Sequence, residues 1–569
     1  LCSAFFDTIS AVHIGPLTMA RGAQRTSNAY ELNHQRQFES PVRANVRLTG
    51  HWADSTELRE HFDRQSMGGG RWNALQLVDD ADAADVTVVL NHPRGEAVDP
   101  ATAIVVHMEP STALEHLGPW ANPDPRAVLQ VRSHRNQPNV AEWHLGATWA
   151  ELGGGGGRGI EIVKTRDLSS VTSALATDPG HHLRLAFLQH LVAHGMEVDV
   201  FGRGTIAGIE NHCGELPMRD KRDGLFPYRY TFAAENHAEH NYVTEKLYDA
   251  ILAECLCFYW GAPNVDELVD PNAFIRLPLE DLDESRRIVD RAIADGEWER
   301  RLPAIRAEKR RILDEYQLFP VVERTIRGAR MLDELPVRVV NLDRRPDRWA
   351  AVSNALDGAL DATTRARVQR VRAVDGNELE MTDELEHQFR GNDFHYRRAM
   401  VGCALTHLDI WREVAASGRL TLVLEDDIWF IEDFRGQLID ALGQLPDQRS
   451  FDLAYLGTFR VVADPARQER RPRRRWSTMS WSAYGGGTFA YLVTPHGART
   501  LLAVAERDGI QNGIDWLPKV HPAEFHALEC TPDLVLSAPA FPGIAGDSDI
   551  QHDWTSLPDH RGTTPPGIG

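Results

Sequence analysis

Short, mostly apolar runs alternate with longer helical patterns along this chain, and that alternation restricts the fold more than any other feature. Val86–Leu90 reads VTVVL, Ala103–His107 reads AIVVH and Val198–Gly202 reads VDVFG, with Ile160–Val163 a shorter fourth run. Between the last two, His182–Gly195 sets Leu183, Leu185, Leu188, Leu191 and Val192 at helical spacing. Strands apolar on both faces must be covered on both faces, so the pattern predicts an α/β protein with parallel sheets under helices. The charged helical stretch 284–333 closes this first unit. At Pro336 the pattern restarts with VRVVNL (337–342), and a second α/β unit runs to about residue 555.

At 569 residues the chain has room for about three or four folding units. Residues 1–45 show little periodicity and read as a loosely ordered lead-in. The Pro/Gly-rich end, 556–569, reads as a disordered tail. The formal charge is 61 − 82 = −21, a poor basis for holding a nucleic-acid backbone, so nucleic acid is not an expected partner. Six cysteines occur without a CxxC pair or zinc-ligand spacing, which reads as reduced thiols. No run of about 18 apolar residues suggests a membrane span, and the opening LCSAFFDTISAVHIGPLTMA lacks the pattern of a signal peptide. The expected location is cytoplasmic, free or peripheral at the inner face of a membrane. The glycine run Gly153–Gly157 lacks a following Lys-Ser/Thr and reads as a flexible joint rather than a phosphate cradle.

The densest chemical signal lies between residues 203 and 277. Phe226–Phe232 reads as an aromatic strand ending in Glu235-Asn236, and Thr244 is placed to cap a helix with Leu247, Tyr248, Ile251, Leu252 and Cys255 as its buried stripe. Glu245 and Lys246 then fall in the first turn, at the positive end of the helix dipole, where a diphosphate is welcome. A buried strand, Cys255–Trp260, and the turn Gly261-Ala262-Pro263 follow. This order of Glu-Asn, Tyr242-Val243-Thr244-Glu245-Lys246-Leu247 and Gly-x-Pro resembles the donor-binding motif of glycosyltransferase family 10, the α-1,3-fucosyltransferases. The resemblance implies a two-lobed GT-B fold with an acceptor lobe (46–155) and a donor lobe (156–333), GDP-fucose as donor and inversion at the sugar carbon, with no metal required. It assigns Lys246 and Arg203 to the donor diphosphate, and Glu245, Asn236 and Tyr242 to the same pocket. A base must also take the acceptor proton, and Glu109, in AIVVHMEPS, stands where the family has a catalytic glutamate.

The second unit carries Asn341-Leu342, Arg345 and Arg348 after its first strand, then Gly402-Cys403-Ala404-Leu405-Thr406-His407, then Leu424-Glu425-Asp426-Asp427. A strand leading into a basic turn can cradle a nucleotide. Three carboxylates at a strand end are costly unless they hold a cation, and their hard oxygens suit Mn²⁺ or Mg²⁺. With Leu456-Gly457 and Gly487-Thr488-Phe489-Ala490-Tyr491, this order resembles glycosyltransferase family 25, which includes lipooligosaccharide and collagen galactosyltransferases; Thr406 stands where serine is usual. The resemblance implies a GT-A fold, a single mixed α/β nucleotide-diphospho-sugar unit (336–555), with a UDP-hexose donor, galactose above all. Asn341, Arg345 and Arg348 would hold the donor, Glu425, Asp426, Asp427 and Asp549 the metal, and Asp515 the acceptor or its proton. His407 reads as a packed helix histidine. The run Arg467–Arg475, RQERRPRRR, reads as a solvated loop or as a contact for an anionic acceptor. Together the two halves read as a bifunctional glycosyltransferase acting on a glycan, glycolipid or glycoprotein, or as one catalytic half joined to a glycan- or nucleotide-sugar-binding half.

Overall fold

The computed structural model describes residues 43–537 and 555–557, apart from 205, 207, 210, 211, 469 and 471. Residues 1–42 of the lead-in, Asp549 and most of the tail therefore lie outside the described residues, and the last two lead-in positions, Ala44 and Asn45, already belong to a strand. Three large sheets organise the rest. The first has six strands in the order Arg71–Trp72, Leu75–Leu77, Ala44–Gly50, Val86–Leu90, Ala103–Val106 and Gln130–Arg132, parallel except for the first pair. The second is parallel throughout, in the order Phe274–Arg276, Leu256–Trp260, Tyr228–Ala234, Arg166–Val171 and Asp199–Phe201. All five residues of Val86–Leu90 and of Leu256–Trp260 are buried, as expected of strands covered on both faces.

The third sheet has seven strands and is mixed. Val337–Asn341 pairs in parallel with Val368–Arg372 and Thr421–Leu424, whereas Ala490–Val493 runs antiparallel between Thr421–Leu424 and Leu453–Tyr455. Ala527–Cys530 and Trp476–Thr478 complete it.

Two sequence expectations are corrected here. Residues 160–163 form no strand: Ile160 and Val163 are exposed, and the ladder begins at Arg166. That strand was hidden because its buried positions include serines. Ser169 Oγ donates to the Gly224 carbonyl at 2.7 Å and Ser170 Oγ to the Phe232 carbonyl at 3.0 Å, which satisfies the hydroxyls inside the sheet. The glycine run is also not a flexible joint. A Cβ on Gly154 would sit 2.1 Å from the Trp149 ring, and the Gly155 N–H donates to Asp314 at 2.9 Å. The run is glycine because the chain folds tightly over an indole.

The link between the halves is a helix, Leu318–Glu334. Its first turns, Leu318 to Ile326, are packed into the core of the first sheet, and Ala329 and Leu332 into the core of the third. It crosses the second-half helix Phe434–Gly443 with backbones nearly touching: a Cβ on Gly328 would lie 1.9 Å from the Ile439 carbonyl oxygen, and one on Gly443 2.2 Å from that of Arg324. One continuous helix thus belongs to two cores.

The basic run Arg467–Arg475 is the third correction. It is neither a solvated loop nor a free cationic surface. Arg467 and Arg475 are buried. Arg475 Nε and Arg132 Nη1 grip the two oxygens of Asp440, at 2.8 and 2.9 Å, joining the first sheet to the second half. Arg474 pairs with Glu315 at 3.0 Å, and Arg473 donates to the Asn139 carbonyl at 2.7 Å. The carboxylates and carbonyls that neutralise this run come from segments distant in sequence.

Candidate functional site

The carboxyl ends of the two parallel sheets face a cavity of about 320 Å³, lined among others by Glu109, Asn236, Tyr242, Glu245 and Lys246. Glu109 follows the Ala103–Val106 strand, and Asn91 Oδ1 fixes the preceding residue by accepting the Met108 N–H at 2.7 Å. Across the cavity, Thr244 caps the helix Glu245–Leu252. Glu235, at the end of the aromatic strand Tyr228–Ala234, is fully buried. It accepts from the Thr244 N–H at 2.9 Å, the Thr244 hydroxyl at 2.6 Å and the Tyr259 hydroxyl at 3.2 Å. This carboxylate holds the cap, and the cap aims the next two side chains.

Lys246 Nζ donates to Thr244 Oγ1 at 3.1 Å and lies 3.5 and 3.6 Å from Glu235 and Glu245. Burial works against its charge, but the two carboxylates raise its pKa and keep it cationic. Burial also works against the Glu245 charge, yet Lys246 and Lys221 hold that carboxyl well below its ordinary value. The Glu109 carboxyl is pushed up by burial, with Lys246 pulling the other way. A raised carboxyl facing a fixed ammonium is the arrangement that proton abstraction beside an anionic leaving group requires.

Arg203 does not line this cavity; it lies exposed just past the strand Asp199–Phe201. Sequence reasoning missed Lys221, which bonds Asp249 at 2.7 Å and Glu245 at 3.3 Å. It also missed His181, whose Nε2 is 3.0 Å from Asn236 Oδ1. The rarity of lysine in this arginine-rich chain is the one signal that pointed toward Lys221. His181 lies in the first turn of the helix Pro179–Ala193, where a Cβ on Gly180 would meet the Glu235 carbonyl oxygen at 1.9 Å. Glycine there lets the helix start close to Glu235 and Asn236.

In the second half the carboxylates follow the buried strand Thr421–Leu424. Asp426 accepts from Asn341 Nδ2 at 2.6 Å and Arg348 Nη1 at 3.1 Å. Glu425 turns the other way, accepting from the Thr488 hydroxyl at 3.2 Å, with His407 Nε2 3.5 Å away. His407 is fully buried and its Nδ1 is 2.9 Å from the Tyr491 hydroxyl. Asp427 Oδ1 is buried with no hydrogen-bond partner among the described residues, and burial followed by the charge of Glu425 pushes this carboxyl up to about 7. Asp515 Oδ2 accepts from the Gly487 N–H at 2.9 Å. Its carboxyl is raised by burial, and Glu425 is near enough to raise it further. Arg345 pairs with Asp347 at 2.8 Å, at the exposed edge of the group. The structure thus gathers Asn341, Arg348, Glu425, Asp426, Asp427 and Asp515 around one strand end.

Comparison with known proteins divides the chain in the same way. Residues 164–291 match the family model of glycosyltransferase family 10 (fucosyltransferase), C-terminal part, and residues 335–511 match that of glycosyltransferase family 25 (LPS biosynthesis protein). The chain therefore carries a family 10 segment followed by a family 25 segment, in the order read from the sequence. Among curated relatives, a glycosyltransferase 25 family member of Drosophila pseudoobscura pseudoobscura is 28% identical over 220 residues, 36% of this chain and 32% of the relative. The inactive glycosyltransferase 25 family member 3 of Homo sapiens is 27% identical over 252 residues, 40% and 39% of the two chains. Procollagen galactosyltransferase 1-B of Xenopus laevis is 28% identical over 194 residues, 32% and 30%. The matched parts thus span between 30% and 39% of these relatives' lengths. Among solved structures, an α1,3-fucosyltransferase aligns over 49% of this chain and 92% of its own, at 14% identity and a TM-score of 0.30.

Proposed function

We propose that this chain is a glycosyltransferase with two sites. The first transfers fucose, with inversion, from GDP-fucose; the second transfers a hexose, galactose above all, from a UDP-sugar. Both act on a glycan, glycolipid or glycoprotein acceptor. In fold terms, we read the two parallel-sheet lobes as GT-B and the mixed sheet as GT-A. The observation that carries the reading is the meeting of Glu109 with Glu245 and Lys246 in one cavity, from two lobes and 136 to 137 positions apart in sequence (245 − 109 and 246 − 109).

At the first site Glu109 takes the acceptor hydroxyl proton. Lys246 meets the charge that builds on the leaving diphosphate, without reorganisation because Thr244 and Glu235 already hold it. Glu245 and Asn236 orient the donor from the same wall.

At the second site the residues fit a divalent cation. Asp426 and Asp427 follow one strand end, Glu425 turns toward Thr488 and His407, and Asp427 Oδ1 is buried without a partner among the described residues. Asp426 and Asp427 would hold Mn²⁺ or Mg²⁺, with Glu425 beside them and Asp549 a further sequence-derived ligand. When bound, that ion neutralises donor phosphates. Asn341 and Arg348 fix Asp426, and Asp515 is the acceptor-side carboxylate.

A second reading makes the family 25 half a binding module. Relatives named as inactive favour it. Thermal shift and released nucleotide, measured on the intact chain with GDP-fucose and UDP-hexoses, with Mn²⁺ or with EDTA, separate the two readings. Two working sites give a metal-independent response to GDP-fucose and a metal-dependent response to a UDP-hexose. Lys246→Ala abolishes the first alone and Asp427→Ala the second alone; loss of both activities from either change sinks the two-site reading.

A further inference from the structure

The wall of the first cavity opposite Lys246 carries a group that the transfer chemistry does not use. His61, from the helix Ser55–Asp63, and Glu142 and His144, from the segment joining the lobes, all line the cavity. Glu142 stands between the imidazoles, with Oε2 3.7 Å from His61 Nε2 and Oε1 3.7 Å from His144 Nε2. The three ligand atoms lie within 4.8 Å of one another.

These distances are not those of hydrogen bonds. Where this protein hydrogen-bonds a buried histidine to a carboxylate, the pair closes: His134 Nε2 is 2.8 Å from Glu239 Oε2. Ligand bonds of about 2.0–2.1 Å in a tetrahedral set place ligand atoms about 3.4 Å apart, so the two 3.7 Å contacts need a small contraction and any pair near the 4.8 Å bound a larger one. The group is also held in place. The Ala141 N–H donates to the Tyr316 carbonyl at 2.8 Å, and the His144 N–H to Asp249 Oδ1 at 2.7 Å. The His61 side chain is 5% exposed, and its Nδ1 has no hydrogen-bond partner among the described residues.

We propose that His61, Glu142 and His144 form a binding site for a transition-metal ion of the zinc class, with an open coordination position facing the cavity. Two imidazole nitrogens and one carboxylate suit zinc, cobalt or nickel better than magnesium. Glu109 and Glu245 on the cavity walls favour a cation, and Lys246 and Arg219 there oppose it. The resemblance to family 10 gives no reason to expect a metal in this half. Metal binding itself does not depend on the transferase reading. Its consequence, an ion offering its open position to an acceptor hydroxyl beside Glu109, does.

The test is titration of the chelator-treated full chain with Co²⁺ alone, followed by visible absorption. It is done with Glu425→Gln and Asp427→Asn in place to silence the second-half carboxylates and the group of Cys403, His407 and Glu425, and with His194→Gln to silence a surface trio of His190, His194 and Asp283. One equivalent of Co²⁺ with intense tetrahedral bands, displaced by Zn²⁺, is expected. His144→Gln and His61→Gln should each weaken binding at least 100-fold while thermal unfolding stays cooperative. If a variant fails to fold, zinc-edge X-ray absorption of the loaded full chain carrying only the three silencing changes decides, with two imidazoles in the shell expected. No Co²⁺ bands, titration unchanged in both histidine variants, or an all-oxygen shell overturns the proposal. Turnover enters none of these readouts, so a failed transferase reading leaves the metal result standing, and the reverse.

Discussion

The guanidinium of Arg473, from the second half, lies against the phenol of Tyr248, on the helix that carries Glu245 and Lys246 in the first. It donates to the Tyr248 hydroxyl and sits 5.7 Å from that ring and 4.6 Å from the ring of Tyr316. Its other arm holds the carbonyl of Asn139, a residue of the first cavity's wall. The second half therefore supports the back of the first cavity, and the halves are not independent beads.

That support predicts an asymmetric effect. Arg473→Ala removes two hydrogen bonds and two ring contacts behind the donor helix, worth together about 1–3 kcal/mol. Affinity for GDP-fucose at the first site should fall about 5- to 100-fold, with the second site's donor affinity unchanged. Arg473→Lys should rescue little, because an ammonium lacks the planar fork that reaches both partners. Calorimetric titration with each donor checks this; equal losses at both sites would show general unfolding instead.

The triad Arg132–Asp440–Arg475 makes a stability prediction with a defined pH sign. Burial opposes ionisation of Asp440, yet the two arginines hold its carboxyl far below the ordinary 3.8. A carboxyl depressed in the folded state contributes stability that is complete above the unfolded value and lost as pH falls from there. Asp440→Asn leaves two buried guanidinium groups without their anion and should cost about 3–5 kcal/mol at neutral pH. It should also flatten that part of the acid loss below about pH 4 which Asp440 causes. Chemical denaturation from pH 3 to 7 on both proteins measures the two effects together.

The crossing of Leu318–Glu334 with Phe434–Gly443 leaves no space for a methyl group. Gly443→Ala would drive its Cβ into the Arg324 carbonyl, and Gly328→Ala into that of Ile439. A backbone atom cannot step aside as a flexible side chain can, so the helices must separate. We expect each change to destabilise the chain by about 1–3 kcal/mol. The double change should cost less than the sum, since the first already opens the crossing. Gly358→Ala, where a Cβ meets nothing within 4 Å, is the control. Melting temperatures of the five proteins, wild type included, decide it.

What the sequence disclosed and what it hid follow from where the partners lie. VTVVL and LCFYW announce buried strands because nearly every side chain is apolar. Thr244, Glu245 and Lys246 announce a capped helix because cap and first turn are adjacent. RDLSSV was silent because its inner face is bonded serine. The run Arg467–Arg475 read as solvated because its neutralising groups, Asp440, Glu315 and Asn139, lie 334 positions away at the farthest. The contacts of Lys221 and of the His61–Glu142–His144 group were hidden for the same reason: no local spacing links residues that only the folded lobes bring together.

Glu109 makes the sharpest kinetic prediction. Its carboxyl must be ionised to take the acceptor proton, and burial raises its pKa from the ordinary 4.5. The acid limb of kcat/KM for fucosyl transfer should therefore have unit slope and a midpoint above 4.5, with activity lost as pH falls through it. If Glu109 is the base proposed above, Glu109→Gln should lower kcat about 10²- to 10⁴-fold while leaving GDP-fucose affinity nearly unchanged. Lys246 pulls the Glu109 pKa down, so Lys246→Gln should shift the limb upward in whatever activity remains. A pH–rate series on the three proteins reads all of this. A midpoint at or below 4.5, or an unaltered kcat in Glu109→Gln, would remove Glu109 from the base role.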